Sequence, residues 1–182
     1  MMLASKETKK LSKWVTVTER KVRVKGREEL EIFHSLSLAD YVGVVAVDGS
    51  GRIPLVRQYR PALECWTIEL PGGMLEHGES PEVCAQRELA EEVGRAPVGL
   101  LQSFPCLSPD TGRLENRLWG FFTEISVCTD PKWTPEAGVE PFFVARHELQ
   151  KMIVSGEFNH ALHVALIGLS LVMGFLDFKN DQ

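Results

Sequence analysis

The sequence has no apolar run long enough to cross a bilayer. Its longest candidate, ALHVALIGLSLVMGFL from Ala161 to Leu176, falls short of the ~20 residues a spanning helix needs and includes His163. It reads as a buried C-terminal helix. The first ten residues, MMLASKETKK, are polar and lack the apolar segment of a signal peptide. Cysteine is sparse: Cys65, Cys84, Cys106 and Cys128 stand singly, with no CxxC pair and no histidine at zinc-ligand spacing. A disulfide scaffold and a zinc ribbon are thereby excluded, and the four read as reduced core or near-core thiols of a cytoplasmic protein. Basic residues are outnumbered, 20 Lys and Arg against 25 Asp and Glu, for a formal net charge of -5. That balance argues against broad nucleic-acid binding, which depends on neutralising many phosphates. Internal repeats and low-complexity segments are absent as well.

What remains is the composition of a soluble globular chain, 182 residues with 44% hydrophobic and 25% charged side chains. Two β-rich runs, 13–24 and 28–36, flank Lys25-Gly26-Arg27 and predict a hairpin. A two-stranded ribbon is marginal alone, so residues 1–38 are expected to form an N-terminal β lobe that packs on the main domain, 39–182, or on a second copy of the chain. Further strands are expected at 40–47, 53–58, 66–70, 98–104, 116–123 and 140–144, with helices near 146–154 and from about 159. Strands and helices in this arrangement make the fold α+β, a mixed sheet with helices on both sides.

The chemistry concentrates in one run, Gly73 to Gly94, GMLEHGESPEVCAQRELAEEVG. Ser80 is a good N-cap, Pro81 suits the first helical position, and Gly94 ends the helix. Glu88, Glu91 and Glu92 stand at i, i+3 and i+4, so three carboxylates share one face. Like charges at that spacing destabilise a helix by roughly 0.2–0.5 kcal/mol per pair, and Arg87 offsets only one of them. A hard divalent cation such as Mg2+ or Mn2+ would satisfy them and leave coordination sites for water and phosphate. The simpler alternative is a solvated acidic face. The glycine turn before the helix and Glu79 in the intervening loop favour the metal.

Gly73, Glu79, Arg87, Glu88, Leu89, Glu91, Glu92 and Gly94 together resemble the signature of the Nudix hydrolases, with Arg95 where that pattern usually closes on an aliphatic residue. The resemblance implies an α/β/α sandwich and metal-assisted hydrolysis of a nucleoside diphosphate linked to another moiety. It implies Glu88, Glu92 and the Gly72 carbonyl as metal ligands, with Glu91 either a further ligand or a partner of metal-bound water. It leaves Gly73, Glu79 and Arg87 to shape the turn and orient the glutamates. The general base in such enzymes often lies on a loop before a late strand; here Glu140 is the first choice and Glu136 the second.

Upstream, Gln58-Tyr59-Arg60 followed by Glu69-Leu70-Pro71-Gly72-Gly73 is similar to the ADP-ribose and nucleoside diphosphate sugar pyrophosphatase branch. By that likeness Arg60 would bind the diphosphate, and Arg57, Glu69, Ser108 and Trp14 are further substrate-binding candidates. Arg57 also reads as a surface residue beside an apolar strand. Trp14, Phe33 and Trp66 are candidates to stack on a base. Asp110 stands where the branch has glycine, which favours a broad substrate range including ADP-ribose and GDP-mannose. The expected protein is a homodimeric, Mg2+-dependent pyrophosphatase that releases a nucleoside monophosphate and a sugar phosphate. The alternatives are another Nudix substrate (a dinucleoside polyphosphate, coenzyme A or capped RNA) or a module that senses ADP-ribose without hydrolysing it.

Overall fold

The computed structural model describes residues 1–127 and 132–178. Cys128 lies outside the described residues. Contacts divide the chain into two compact units: residues 1–40 with 107–117, and residues 41–106 with 118–182.

The first unit is a three-stranded antiparallel sheet of β1 (Met2–Lys10), β2 (Thr16–Arg23) and β3 (Leu30–Ser37), in that order. The sequence reading expected only the β2–β3 hairpin. Strand β1 pairs with β2 from Met2 opposite Arg23 to Lys10 opposite Thr16, and nearly all its side chains are exposed. Without a buried face it has no apolar alternation to announce it. The segment 107–117 docks on β3 through the Leu36 amide donating to the Arg113 carbonyl (2.7 Å) and the Glu115 amide donating to the Leu36 carbonyl (3.0 Å). The Glu115 carboxylate accepts from Arg20 (2.7 Å) and from the Ser35 hydroxyl (2.5 Å). The N-terminal unit thus gains a segment remote in sequence from residues 1–38.

The second unit holds β4 (Tyr41–Asp48), β5 (Ile53–Arg60), β6 (Cys65–Glu69), α1 (Pro81–Glu88), β7 (Gln102–Ser103), β8 (Leu118–Ile125), β9 (Val139–Val144), α2 (Arg146–Ser155) and α3 (Ala161–Val172). One sheet runs β4-β8-β7 with β4 parallel to β8, and the other runs β6-β5-β9, antiparallel throughout. Buried on both faces, β4 reads as a continuous apolar run. Its residues Val42, Val44 and Ala46 pack with Cys84, Ala85, Leu89 and Val93 beside α1. Between them Gly43 faces α3, where a Cβ would strike the Leu166 side chain. The two-residue period of the strand therefore feeds two helix layers, and the sandwich is α/β/α.

Three expectations need correction. The strand read at 98–104 is only Gln102–Ser103. Cys65 and Cys106 are exposed rather than near the core, whereas Cys84 is buried, its thiol pushed up to about 12 chiefly by burial. The signature helix is not α-helical throughout: after Glu88 it continues as one π-helical turn, Leu89–Val93, closed by Gly94 in the left-handed region. Among the described residues no helix is long and apolar enough to cross a membrane.

Candidate active site

The turn after β6 is the foundation of the site. It lies along β4, with the Val44 amide donating to the Pro71 carbonyl (2.9 Å) and the Val42 amide to the Gly73 carbonyl (2.8 Å). On its open side the Gly72 amide donates to Glu92 Oε2 at 2.9 Å. Helix α1 arrives with Ser80 capping the Val83 amide, and so carries its glutamates up to this turn.

Two of the three helix glutamates point inward. Glu88 and Glu92 are only 7% and 4% exposed, while the side chain of Glu91 is half exposed. Arg87 meets a carboxylate on each side: Glu79 through Nε (2.9 Å) and Nη2 (3.0 Å), Glu88 through Nη1 (2.7 Å), and Glu91 through Nη1 (3.0 Å). The Arg87 hydrogen bonds hold Glu79 at about 2, fully ionised. Arg87 thus serves three carboxylates rather than the one expected from spacing, and Glu79 locks the loop to the helix.

Glu92 has no such partner. Burial, outweighing the Gly72 amide bond, and the charges of Glu88 and Glu136 push its carboxyl up to about 8. Burial likewise raises Glu88 against the pull of Arg87, with Glu91 and Glu136 adding to the effect. A pair of buried carboxylates that repel one another, with Arg87 paired to Glu88 but not to Glu92, is a donor set a hard divalent ion fits. The residues therefore suit the metal that the signature implies.

The two candidate bases point to different surroundings. Glu140 lies opposite Arg57 in the β5–β9 pairing and accepts from its Nη1 at 3.3 Å. Arg57 in turn lies over the Trp66 ring, 4.8 Å from its centroid, and helps line a groove of about 730 Å³ with Phe142, His147 and Lys151. No signature glutamate lines that groove. Glu136 instead lines a separate cleft of about 500 Å³ with Glu91, Ala90 and Trp133, and its charge bears on both Glu88 and Glu92.

Arg60 and Glu69 form a bidentate pair, Nε to Oε1 at 2.7 Å and Nη2 to Oε2 at 2.6 Å, with the Thr67 hydroxyl donating to Oε1 at 2.7 Å. Burial alone would raise the Glu69 carboxyl, but Arg60 and Thr67 reverse this and hold it at about 2. Trp14 and Ser108 belong to the first unit. Trp14 is exposed with Lys13 over its ring, and the Ser108 hydroxyl accepts from Arg117 at 2.5 Å. Asp110 closes a turn by accepting from the Gly112 amide at 2.8 Å.

Two features were invisible in the sequence. His163 on α3 is fully buried; its Nδ1 accepts from the Leu70 amide at 3.0 Å, anchoring the residue just before the Pro71-Gly72-Gly73 turn. Burial and neighbouring His160 lower it to about 3, so it stays neutral, with the proton on Nε2 facing the Tyr41 hydroxyl at 3.4 Å. Glu69, His160 and His163 bring ligand atoms within 4.8 Å of one another. Yet both Nδ1 atoms accept backbone amides, His160 from the His163 amide at 3.4 Å, and Glu69 is taken by Arg60 and Thr67. This cluster is a hydrogen-bonded support, and the cation-deficient group is on α1. The second feature is Trp133, a lone large aromatic in a polar loop, docked on the end of the signature helix.

The model of the NUDIX domain matches residues 37–160, more than half of the chain. The chain belongs to the NUDIX family. Among curated proteins, the ADP-ribose pyrophosphatase of Bacillus subtilis is 51% identical over 53 residues, 29% of this chain and 29% of that protein. The ADP-sugar pyrophosphatase of Mus musculus is 43% identical over 56 residues, 30% of this chain and 26% of that protein. The matched stretch thus spans less than a third of either relative. A solved structure described as an ADP compounds hydrolase superposes with a TM-score of 0.76, covering 96% of this chain and 93% of that one at 20% identity. At that identity the likeness is one of fold, and it extends nearly end to end.

Proposed function

We propose that this NUDIX protein is a Mg2+-dependent pyrophosphatase of nucleoside diphosphate sugars, ADP-ribose first among them, with Mn2+ as a substitute metal. The observation that carries the reading is the carboxylate group at the end of α1 and in the π-helical turn after it, where Glu88 and Glu92 are buried beside the Gly72 turn without enough cation to balance them. Glu88, Glu91, Glu92 and the Gly72 carbonyl would hold the ion. Bound there, a divalent ion neutralises diphosphate charge and makes a water nucleophilic near neutral pH. Arg87 and Glu79 fix the glutamates in place. Glu136 is assigned as the general base, because it shares the cleft with Glu91 and its charge reaches Glu88 and Glu92, whereas Glu140 is engaged by Arg57. The substrate class is supported by the two curated relatives named above.

The test is a substrate panel of ADP-ribose, GDP-mannose, a dinucleoside polyphosphate, coenzyme A and capped RNA with Mg2+, scored for the released nucleoside monophosphate. ADP-ribose is expected to give AMP with the highest kcat/KM. Glu136→Gln is expected to lower kcat about 10²-fold, the low end of what a general base contributes, with Glu140→Gln near wild type. Release of no AMP from ADP-ribose at any divalent metal, despite binding, would favour a sensor over an enzyme; the reverse order of the two variants would restore Glu140 as the base.

We also infer a cytoplasmic homodimer joined through the N-terminal sheet. Leu3, Leu11, Trp14, Ile32 and Phe33 are all exposed on this small unit, apolar side chains that a second copy of the sheet would cover. Sedimentation velocity is expected to give a dimer that Ile32→Lys/Phe33→Glu converts to monomer; a wild-type monomer would rule it out.

A further inference from the structure

The indole N–H of Trp133 donates to the carbonyl of Ala90 at 2.8 Å. Ala90 lies in the π-helical turn, and its carbonyl also takes the Gly94 amide at 3.2 Å. The face of the ring lies on Gly94, so closely that a Cβ at that position would collide with it. Gly94 therefore meets two demands: it closes the helix in the left-handed region (φ 66°), and it leaves room for the indole.

Trp133 thus grips the same helical turn that carries Glu91 and Glu92. Only Thr134 and Pro135 separate it from Glu136. On the far side, the Val139 amide donates to the Glu136 carbonyl at 3.0 Å, and Val139 enters the core as the first residue of β9. Glu136 is consequently held between two anchors, one on the signature helix and one in the sheet, although the side chain itself is exposed. Proline at 135 removes further freedom from the short span between them.

We propose that Trp133 is a positioning residue, a clamp that docks the Glu136 loop on the π-helical turn and so holds the proposed base over the glutamate group. The proposal rests on the assignment of Glu136 as base. The Ala90 carbonyl keeps its i+4 partner, the Gly94 amide, and its second lone pair takes the indole N–H. Displacing a reacting group by about 1 Å costs on the order of 10²-fold in rate, so the clamp governs kcat rather than substrate affinity.

The experiment compares Trp133→Phe, which keeps a ring and loses the N–H, Trp133→Ala, Glu136→Gln and the Trp133→Ala/Glu136→Gln double variant. Each is measured for kcat and KM on ADP-ribose with Mg2+, and for amide hydrogen exchange in the metal-free state. Trp133→Ala is expected to lower kcat about 10²-fold with KM within twofold. It should speed exchange severalfold in the peptide 132–139 and leave the β4 peptide unchanged; that internal control separates a released loop from a misfolded chain. Trp133→Phe should fall between it and wild type. In the Glu136→Gln background, Trp133→Ala should cost nothing further, because two residues acting as one unit are not additive. Losses that multiply in the double variant, or wild-type kcat in Trp133→Ala, overturn the clamp. Wild-type kcat in Glu136→Gln instead removes the base assignment, and the positioning role falls with it even if loop exchange has quickened.

Discussion

Glu92→Gln is expected to lower turnover by about 10³-fold and, in the metal-free protein at pH 8, to raise stability. The two effects share one cause. The carboxylate is buried at 4% exposure and, among the described residues, accepts from the Gly72 amide alone, a bond that a glutamine oxygen would keep. What glutamine removes is the negative charge. As a metal ligand that charge supports the several kcal/mol of transition-state stabilisation a bound ion supplies, which converts to about three decades in rate. Without metal the same charge destabilises the fold. The folded carboxyl titrates at about 8 against an ordinary value of 4.5, so between those pH values the folded chain keeps a proton that the unfolded chain has released. Stability from this group is therefore full below about pH 4.5 and lost as pH rises through 8. Urea denaturation in EDTA is expected to show Glu92→Gln more stable than wild type at pH 8 by a few kcal/mol, with the gap closed near pH 4.5. Added Mg2+ should stabilise wild type at pH 8 and leave the variant unmoved. Wild-type turnover in Glu92→Gln, or a wild-type stability indifferent to Mg2+ at pH 8, would remove Glu92 from the metal site.

The divided behaviour of Glu92 also marks where sequence reading succeeds and stops. Spacing along the chain was enough to put Glu88, Glu91 and Glu92 on one helix face and to start that helix at Ser80, because capping and i, i+4 geometry are local. Strand β4 was legible for the same reason, as an unbroken apolar run. Spacing said nothing of which glutamates turn inward, which depends on where the Gly72 turn lies along β4. The π turn escaped notice because a shift from i+4 to i+5 hydrogen bonding leaves no residue signature over five positions. Strand β1 escaped because both its faces are exposed and its pairing with β2, not its own pattern, makes it a strand. The sequence put Glu140 ahead of Glu136, because the partner that occupies Glu140 is Arg57, 83 residues away and met only through the β5–β9 register. Trp133 and His163 are the clearest losses. Each acts through one hydrogen bond to a backbone atom of a distant element, and a side chain's choice of a remote carbonyl or amide has no trace in its own neighbourhood.

Arg60→Met is expected to destabilise the protein by about 3 kcal/mol, the low end of what breaking a buried ion pair costs. The low end applies because Arg60 itself is 37% exposed and water screens part of the interaction. The cost falls on Glu69, which is fully buried and would keep only the Thr67 hydroxyl to stabilise its charge. In wild type the Arg60 pair holds that carboxyl at about 2 against an ordinary 4.5, so its contribution is present above about pH 4.5 and is lost as pH falls towards 2. Arg60→Met should reverse that slope, since a buried carboxylate without its cation gains a proton readily, and Arg60→Met/Glu69→Gln should recover much of the lost stability at pH 7. Urea denaturation of the three proteins decides it. The same variants test whether Arg60 binds diphosphate, because Nε and one N–H of Nη2 are committed to Glu69, which leaves Nη1 and the second Nη2 N–H to reach a phosphate. If Arg60 serves substrate only by holding Glu69 and the strand end beside the Pro71-Gly72-Gly73 turn, the stable double variant should regain kcat and KM together. If its guanidinium touches the diphosphate, the double variant should be stable yet retain a raised KM. Recovery of stability without recovery of KM would thus assign the arginine two roles, one through each edge of its guanidinium.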